Sequence, residues 1–440
     1  MQSIASRVRK CRRLLFSSVK LTFLDSVVGA TTTPTPLSHD EYELPREVRT
    51  VHINRIKARR CDTSSKKKYA VFSQLKHEMR GWNGAWLRRG YVAKGHGGQK
   101  RAFKVKLVGE GVNDYSGPYR EVFGDAIREV EATQDGAGVL GLLDPSPNNV
   151  NEIGGHRDLL VFCSPIKSRP AAPNRDVSSS ELTSIANFFR CSMGGRGELT
   201  REIEEGLSFL GRLVATACRH GIQVDLHLPQ GTVWKKIAED TDASTASVLA
   251  EIDLLESRYL NEHKELSDGN NLLTMQQRML NSFADGMASV LPIELFSIFT
   301  GAELNEFICG NASVDVDLLM RVVEYEGYTA NSQVIKYFWD TLREMTNVER
   351  KSFLQFVWAR SRLPTREIDF EAPFKIIKDT KSTGDDALPS ASTCFFTLTL
   401  PAYSSKDVLR KKLVFAIENG YTMESDYVTN EAEVDKGWKD

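Results

Sequence analysis

The sequence predicts an α+β protein, because helical and strand-like hydrophobic periodicities occur in separate stretches of the chain. In residues 199–220, apolar side chains recur at three- and four-residue steps, which is the spacing of one face of an amphipathic helix. Phe103, Val105 and Leu107 alternate with polar residues instead, and residues 396–400 repeat this alternation. A period of two is typical of a half-buried strand, so we expect a few strands among a larger number of helices.

Composition and charge restrict the possible partners and the cellular compartment. Lys and Arg number 57 and Asp and Glu number 58, so the balanced charge gives no indication of nucleic-acid binding. The sequence contains no apolar run long enough to cross a bilayer, so we expect no membrane insertion. Seven cysteines, odd in number and widely scattered, favour a reducing compartment. We therefore expect a cytoplasmic protein, with a nuclear location as the alternative.

Residues 1–68 differ from the rest and are predicted to form a basic amino-terminal extension and linker. Six Lys and Arg residues precede the first acidic residue, Asp25. An organellar transit peptide has such a composition, but nothing downstream indicates an organelle, which favours a solvated or partner-packed helix from a longer parent protein. The Thr-Pro run at 31–36 predicts a linker, and the Lys-rich stretch at 64–68 predicts a solvated break.

The globular pattern is predicted to begin at Tyr69, with a helical face starting at Val71. A Gly-rich turn at 109–117 follows the first predicted strand. It does not predict a nucleotide site, because Asp114 stands where the dinucleotide pattern requires Gly. The histidines of this part of the chain, among them His220, are too widely spaced for a metal site and are predicted to be structural.

The carboxyl-terminal part is predicted to alternate helices and strands. The predicted elements are helical faces at 334–342 and 353–357, a strand at 374–377 and a final helix with inward positions from 409 to 417. Ser404 with Asp407 predicts a capping box before that helix, and Gly420 predicts its end.

Cys394 stands between a loop of small and polar residues, 379–393, and the alternating segment that follows. Loops held by a rigid scaffold often carry chemistry. A lone Cys at the start of a strand is nevertheless more often a small buried hydrophobe than a nucleophile. The last histidine of the chain is His263, and this distance in sequence disfavours a Cys–His dyad of the protease type. The residue alone leaves both interpretations open.

Four short motifs, in order along the chain, carry a family resemblance. They are Leu388-Pro389, Ser392-Thr393-Cys394-Phe395, Leu400-Pro401-x-Tyr403-Ser404-Ser405 and Ala416-Ile417-Glu418-Asn419. They resemble the carboxyl-terminal lobe of HECT-type ubiquitin-protein ligases, in particular the subgroup found in very large ligases. The resemblance implies a bilobal α+β fold with a larger, mostly helical N-lobe and a smaller α/β C-lobe joined by a hinge. The implied boundaries are 69–309 for the N-lobe, 310–313 for the hinge, 314–428 for the C-lobe and 429–440 for an acidic tail.

The resemblance also implies a chemistry. Cys394 would accept ubiquitin from a conjugating enzyme as a thioester and pass it to lysines of protein substrates. Ser392, Thr393, Phe395 and Arg362 would support the cysteine. Gly310 and Asn311 would form the hinge on which the lobes rotate. Neither a metal nor an organic cofactor is implied.

One departure from the family pattern leaves alternatives open. The subdomain that docks the conjugating enzyme is shortened near 263–275. A catalytically impaired HECT-like interaction module is therefore the alternative to an active ligase, and a cysteine hydrolase of the ubiquitin system is a third interpretation. The family carries a Phe near the chain terminus that helps transfer, and Tyr421 or Tyr427 stands nearest to that role here.

Overall fold

The computed structural model describes residues 10–34, 47–94, 98–110, 117–134, 137–146, 158–162, 201–238, 269–311, 313–370, 372–381 and 384–423, with the single residues 8, 45 and 149. The side chains of residues 64, 137, 231–232, 269–276, 394 and 420–423 are outside this description. The acidic tail at 429–440 and residues 263–268 of the predicted shortened docking segment also lie outside the described residues.

The described residues are mainly helical, and no helix among them is long and apolar enough to cross a membrane. In chain order the α-helices are α1 (Ser17–Ala30), α2 (Arg55–Arg60), α3 (Lys66–Tyr69), α4 (Val71–Glu78), α5 (Gly84–Leu87), α6 (Gly117–Glu131), α7 (Arg201–Arg219), α8 (Lys235–Ala238), α9 (Gly269–Ala288), α10 (Gly301–Cys309), α11 (Val316–Arg321), α12 (Gln333–Glu344), α13 (Asn347–Trp358) and α14 (Lys406–Met423).

The strands of the described residues are short. They are β1 (Thr50–Ile53), β2 (Lys104–Leu107), β3 (Thr133–Gln134), β4 (Ala137–Gly138), β5 (Leu143–Pro145), β6 (Leu160–Phe162), β7 (Val323–Glu326), β8 (Phe374–Lys378), β9 (Ser390–Ser392) and β10 (Thr397–Leu400). The α+β prediction is confirmed, and the predicted helices at 199–220, 334–342 and 353–357 correspond to α7, α12 and α13.

The chain divides into two compact units, each built from segments distant in sequence. Unit one contains Met1–Ala30, Glu129–Ala215 and Leu226–Asn305, and unit two contains Thr31–Arg128, Thr216–Asp225 and Glu306–Asp440.

In unit one, helices α7 and α9 touch through backbone. A Cβ at Gly211 would lie 2.0 Å from the carbonyl oxygen of Phe283, and a Cβ at Gly286 would lie 1.9 Å from that of Ser208. Glycine is required at both points because any larger residue would force the helices apart. The apolar face of α7 that the sequence predicted is therefore buried at close range.

Helix α1 is fixed in unit one by an ion pair. The Lys20 ammonium, which is buried, donates to both carboxylate oxygens of Glu303 at 2.7 and 2.8 Å. Burial by itself would raise the pKa of Glu303, but hydrogen bonds from Lys20, the Thr300 backbone and Ser17 outweigh it and hold the pKa below its usual value. Since α10 begins at Gly301, this pair ties the amino-terminal helix to the first turn of α10.

Replacing Lys20 with Met should lower the free energy of unfolding by about 1–3 kcal/mol, because the partly buried Glu303 carboxylate loses its cation. Urea denaturation of the two proteins measures the difference as a shifted midpoint at constant slope. The exposed Lys10, changed to Met, serves as the control. Equal midpoints for K20M and K10M would contradict this role of Lys20.

Unit two is centred on a four-stranded sheet in the order β7-β8-β10-β9. β8 lies parallel to both β7 and β10, whereas β10 runs antiparallel to β9. Side chains from α12, α13 and the sheet pack into one apolar cluster that includes Phe338, Phe353, Phe374 and Leu398. The rings of Phe338, Phe353 and Phe374 lie 5.7–6.3 Å apart, which is the range of aromatic contact. This core supports the two strands that flank Cys394.

Much of the predicted extension and linker is folded. β1 pairs in parallel with β2, from Thr50 opposite Lys104 to Ile53 opposite Leu107. Val51 and Ile53 are fully buried, and the predicted solvated break at 64–68 lies largely within α3. The prediction that the globular part begins at Tyr69 is therefore wrong. A four-residue strand offers only two buried positions, too few for a periodic signal.

The last helix also differs from its prediction. Ser405, not Ser404, accepts the hydrogen bond from the Val408 N–H, at 3.3 Å. The helix continues through Gly420 to Met423, so Gly420 does not end it. Ser404 has a different role, described below.

His220 is structural, as predicted. It lies in unit two, fully buried, with Nε2 2.8 Å from the Arg89 carbonyl oxygen and Nδ1 2.9 Å from the Tyr119 hydroxyl. Because a carbonyl only accepts, Nε2 carries the proton and the neutral ring accepts from Tyr119 at Nδ1. The Tyr119 oxygen in turn accepts from the Ala102 N–H at 3.1 Å. Burial lowers the pKa of His220 from 6.5 to about 4, so the ring is neutral near pH 7.

This depressed pKa makes stability depend on pH. Between pH 6.5 and 4 the unfolded chain binds a proton at His220 that the folded chain does not. The free energy of unfolding should therefore fall as the pH drops through this window, by up to about 3 kcal/mol. Melting curves across the window measure the effect. H220Q should remove this component, whereas H77Q, at an exposed histidine, should keep it. Parallel pH profiles for H220Q and the parent chain would refute the assignment.

Candidate active site

Cys394 lies on a single helical turn between two antiparallel strands. β9 ends at Ser392, a 3₁₀ turn covers Thr393–Phe395, and β10 begins at Thr397. The sequence had predicted a strand that begins at Cys394. Phe396 breaks that strand because its backbone is left-handed, with φ 50° and ψ 50°, a conformation uncommon for a residue other than Gly. The structure describes the backbone of Cys394, and its side chain lies outside the described atoms.

Aromatic stacking holds Phe396 in its left-handed conformation. The Phe396 ring lies 4.1 Å from the ring of Trp358, nearly parallel to it at 10°. Phe370 stacks on the same indole at 5.4 Å, and the Arg360 guanidinium lies 4.1 Å from the Trp358 ring. Trp358 and Phe396 are both buried, so the residue that follows the Cys394 turn is fixed by packing.

The loop before the turn is tied down at several points. Asp385 accepts from the Ser404 N–H at 2.9 Å and the Ser404 hydroxyl at 2.6 Å. These two bonds hold the pKa of Asp385 below its usual value. The Tyr403 hydroxyl donates to the Ala387 carbonyl at 2.8 Å. The predicted loop at 379–393 is therefore anchored, through Asp385 and Ala387, to the residues just before α14.

The predicted supporting residues separate into two groups. Ser392 and Thr393 are half-buried beside Cys394, and Phe395 is 44% exposed. Arg362 instead contacts the predicted hinge, where Nη1 donates to the Gly310 carbonyl at 3.4 Å and Nε donates to Asp225.

Gly310 has a steric requirement of its own. Its φ is +75°, and a Cβ there would lie 2.8 Å from the Leu363 carbonyl oxygen. Its N–H donates to Glu306 at 2.8 Å, which closes the end of α10. The Gly at this position is therefore required by backbone conformation and by close packing.

Arg120 is a site residue that the sequence did not indicate. From the first turn of α6, its Nη2 donates to the carbonyl oxygen of Thr393. Arg120 and Thr393 are 273 residues apart in sequence. A single sequence carries no signal for a contact of this kind.

Comparison with known proteins decides the family. The HECT-domain (ubiquitin-transferase) family profile matches residues 270–426, which include Gly310 and the complete Cys394 turn. This chain belongs to the HECT family. The chain is similar to E3 ubiquitin-protein ligase HERC2 from Homo sapiens, with 30% identity over 371 residues that cover 74% of this chain and 7% of HERC2.

Two further relatives, both E3 ubiquitin-protein ligases by name, match this chain over a shorter stretch. Mouse E3 ubiquitin-protein ligase HUWE1 is 40% identical over 150 residues, which is 32% of this chain and 3% of that protein. The Schizosaccharomyces pombe E3 ubiquitin-protein ligase pub1 is 33% identical over 146 residues, 32% of this chain and 19% of that protein. This HECT chain therefore spans a small part of the length of the relatives it matches.

Proposed function

We propose that this HECT chain is the catalytic part of a ubiquitin-protein ligase and that Cys394 is its ubiquitin acceptor. Family membership supports the activity. The position of Cys394 supports the residue assignment, because it lies on a turn that is anchored on both sides within the matched region. Ubiquitin, a conjugating enzyme and protein substrates are the corresponding partners.

The chemistry needs two acyl transfers. In the first, the Cys394 thiolate attacks the thioester carbonyl that joins ubiquitin to the conjugating enzyme; a new C–S bond forms, and the conjugating enzyme's thiolate leaves. In the second, a substrate lysine amine attacks the new thioester. An amide bond forms, the C–S bond to Cys394 breaks, and the proton lost by the amine is taken up by the leaving thiolate or by water. The first exchange is nearly isoenergetic, and the second depends mainly on placing the amine close to the carbonyl.

The lobe organisation belongs to the same proposal. An N-lobe over 69–309 would receive the conjugating enzyme, and a C-lobe over 314–428 would carry Cys394. Rotation near Gly310 and Asn311 would bring the cysteine from donor to acceptor, with Thr393 and Ser392 beside the reacting carbonyl. A cytoplasmic location is part of the proposal.

A charging assay tests the activity. The chain is incubated with activating enzyme, ubiquitin and a panel of conjugating enzymes, and the products are separated without reductant. We expect a ubiquitin adduct that disappears on adding a thiol reductant. Absence of the adduct across the panel, with the chain shown to be folded, would favour the impaired HECT-like module. Cleavage of ubiquitin chains without a conjugating enzyme would instead indicate a hydrolase.

A further inference from the structure

We propose that Arg120 is a positioning residue that holds the Cys394 turn in its reactive geometry. This inference rests on the proposed function, since it concerns the turn that carries the acceptor cysteine. The observation behind it is the hydrogen bond from the Arg120 guanidinium to the Thr393 carbonyl. That carbonyl belongs to the peptide unit that joins Thr393 to Cys394.

The helix that carries Arg120 is itself firmly held. On one side, the Tyr119 hydroxyl is bound to His220 and to the Ala102 N–H, as described above. On the other side, Glu121 is paired with the buried Arg55, which also binds Glu110. The residues before and after Arg120 are therefore anchored at the first turn of α6. Arg120 extends from a rigid support.

Because Arg120 is buried, its guanidinium depends on hydrogen-bond acceptors from the protein. Arg120 is only 2% exposed, so its guanidinium has exchanged water for protein partners. Removing a guanidinium from water is unfavourable unless strong hydrogen bonds replace the hydration. A charged donor to a carbonyl supplies such a bond, and the planar guanidinium fixes its direction. Displacing the turn would leave the buried cation without this acceptor.

The bond also places a positive charge beside Cys394. A carbonyl oxygen and the following nitrogen share one planar peptide, so the donor nitrogen lies within about 5 Å of the Cys394 backbone. A nearby cation favours the thiolate over the thiol. By the proposed boundaries Arg120 lies in the N-lobe and Thr393 in the C-lobe, so the bond acts in the lobe orientation in which it is made. In that orientation Arg120 has two effects on the turn: it fixes the backbone at Thr393, and its charge favours the nucleophilic form of Cys394.

The test uses the full chain with R120M, which keeps an unbranched apolar side chain about as long as the aliphatic part of arginine but removes the donors and the charge. The first readout is the single-turnover rate of ubiquitin charging. The second is the pH dependence of Cys394 alkylation by iodoacetamide, followed on the Cys394 peptide by mass spectrometry. We expect R120M to charge about 10- to 100-fold more slowly. We also expect the alkylation midpoint to move to higher pH, which a purely structural role would not cause.

Two further variants make the result specific. R120K keeps the charge but not the planar geometry, so its charging rate should lie between those of R120M and the parent. R128Q removes an exposed arginine of the same helix, which pairs with Asp125, and should behave as the parent in both readouts. If R120M does not fold, R120K decides, and a parental charging rate in R120K then overturns the proposal.

The outcomes separate this inference from the proposed function. Parental charging and a parental alkylation profile in a folded R120M would overturn the role of Arg120. If the parent chain is not charged at all but R120M still shifts the alkylation midpoint, Arg120 acts on Cys394 and the ligase proposal fails. If the parent is charged, and R120M is charged more slowly and has its alkylation midpoint at higher pH, both proposals gain support.

Discussion

C394A is expected to lose all ubiquitin charging and all transfer to lysine. Alanine has no nucleophile to form the thioester, and the later step has no intermediate to use. The loss should exceed about a thousandfold, because enzymes that act through a covalent intermediate have no comparable second route. The measurement is the initial rate of adduct formation from a preformed conjugating-enzyme thioester.

Two control variants test whether the loss of charging is specific to the Cys394 thiol. C11A changes an exposed cysteine far from the turn in sequence and should be charged at the parental rate. C394S should give an adduct that resists thiol reductants, since an oxygen ester would replace the thioester. Full charging of C394A would show that a different cysteine accepts ubiquitin.

W358A is expected to produce the largest loss of stability. Trp358 is 2% exposed and stacks on Phe396 and Phe370, so its removal leaves a cavity under the Cys394 turn. Truncating a buried Trp to Ala typically costs about 3–5 kcal/mol. That is a large part of the net stability of an ordinary domain. Chemical denaturation measures the free energy, and the charging rate of whatever fraction folds should fall as well, because Phe396 loses its support.

The same helix offers a matched control. Val348 lies in α13 and is 74% exposed, so V348A should change the free energy of unfolding by no more than about 0.5 kcal/mol. W358F keeps a stacking ring and should lie between the two. If W358A were as stable as V348A, the aromatic stack would not support the turn.

The sequence predicts the elements that are determined by neighbouring residues, and it misses those that depend on residues distant in the chain. Helices such as α7 and α12 follow from periodicity because many positions repeat the same signal. β1 was missed because its stability comes from parallel pairing with β2, about fifty residues later, and not from its own four residues. The left-handed Phe396 was missed because nothing in an alternating segment marks the position where stacking overrides strand geometry.

At the candidate active site, too, local features could be predicted from the sequence and long-range contacts could not. The motif around Cys394 could be recognised in the sequence because it is local and ordered. The contacts that hold the turn come from residues far away in sequence, namely Arg120 on α6 and Trp358 on α13. Arg362, which the family resemblance placed near the cysteine, contacts Asp225 and Gly310. The local sequence motif indicates the chemistry, whereas the contacts that hold the Cys394 turn depend on tertiary structure.

The most direct test of the account is to locate the ubiquitin on the charged chain. The reductant-sensitive adduct is digested under acidic, thiol-free conditions, and the peptides are identified by mass spectrometry. We predict that the carboxyl-terminal glycine of ubiquitin is attached to the peptide that contains Cys394. Attachment at any other cysteine, or only at lysines, would contradict the assignment of Cys394 as the acceptor.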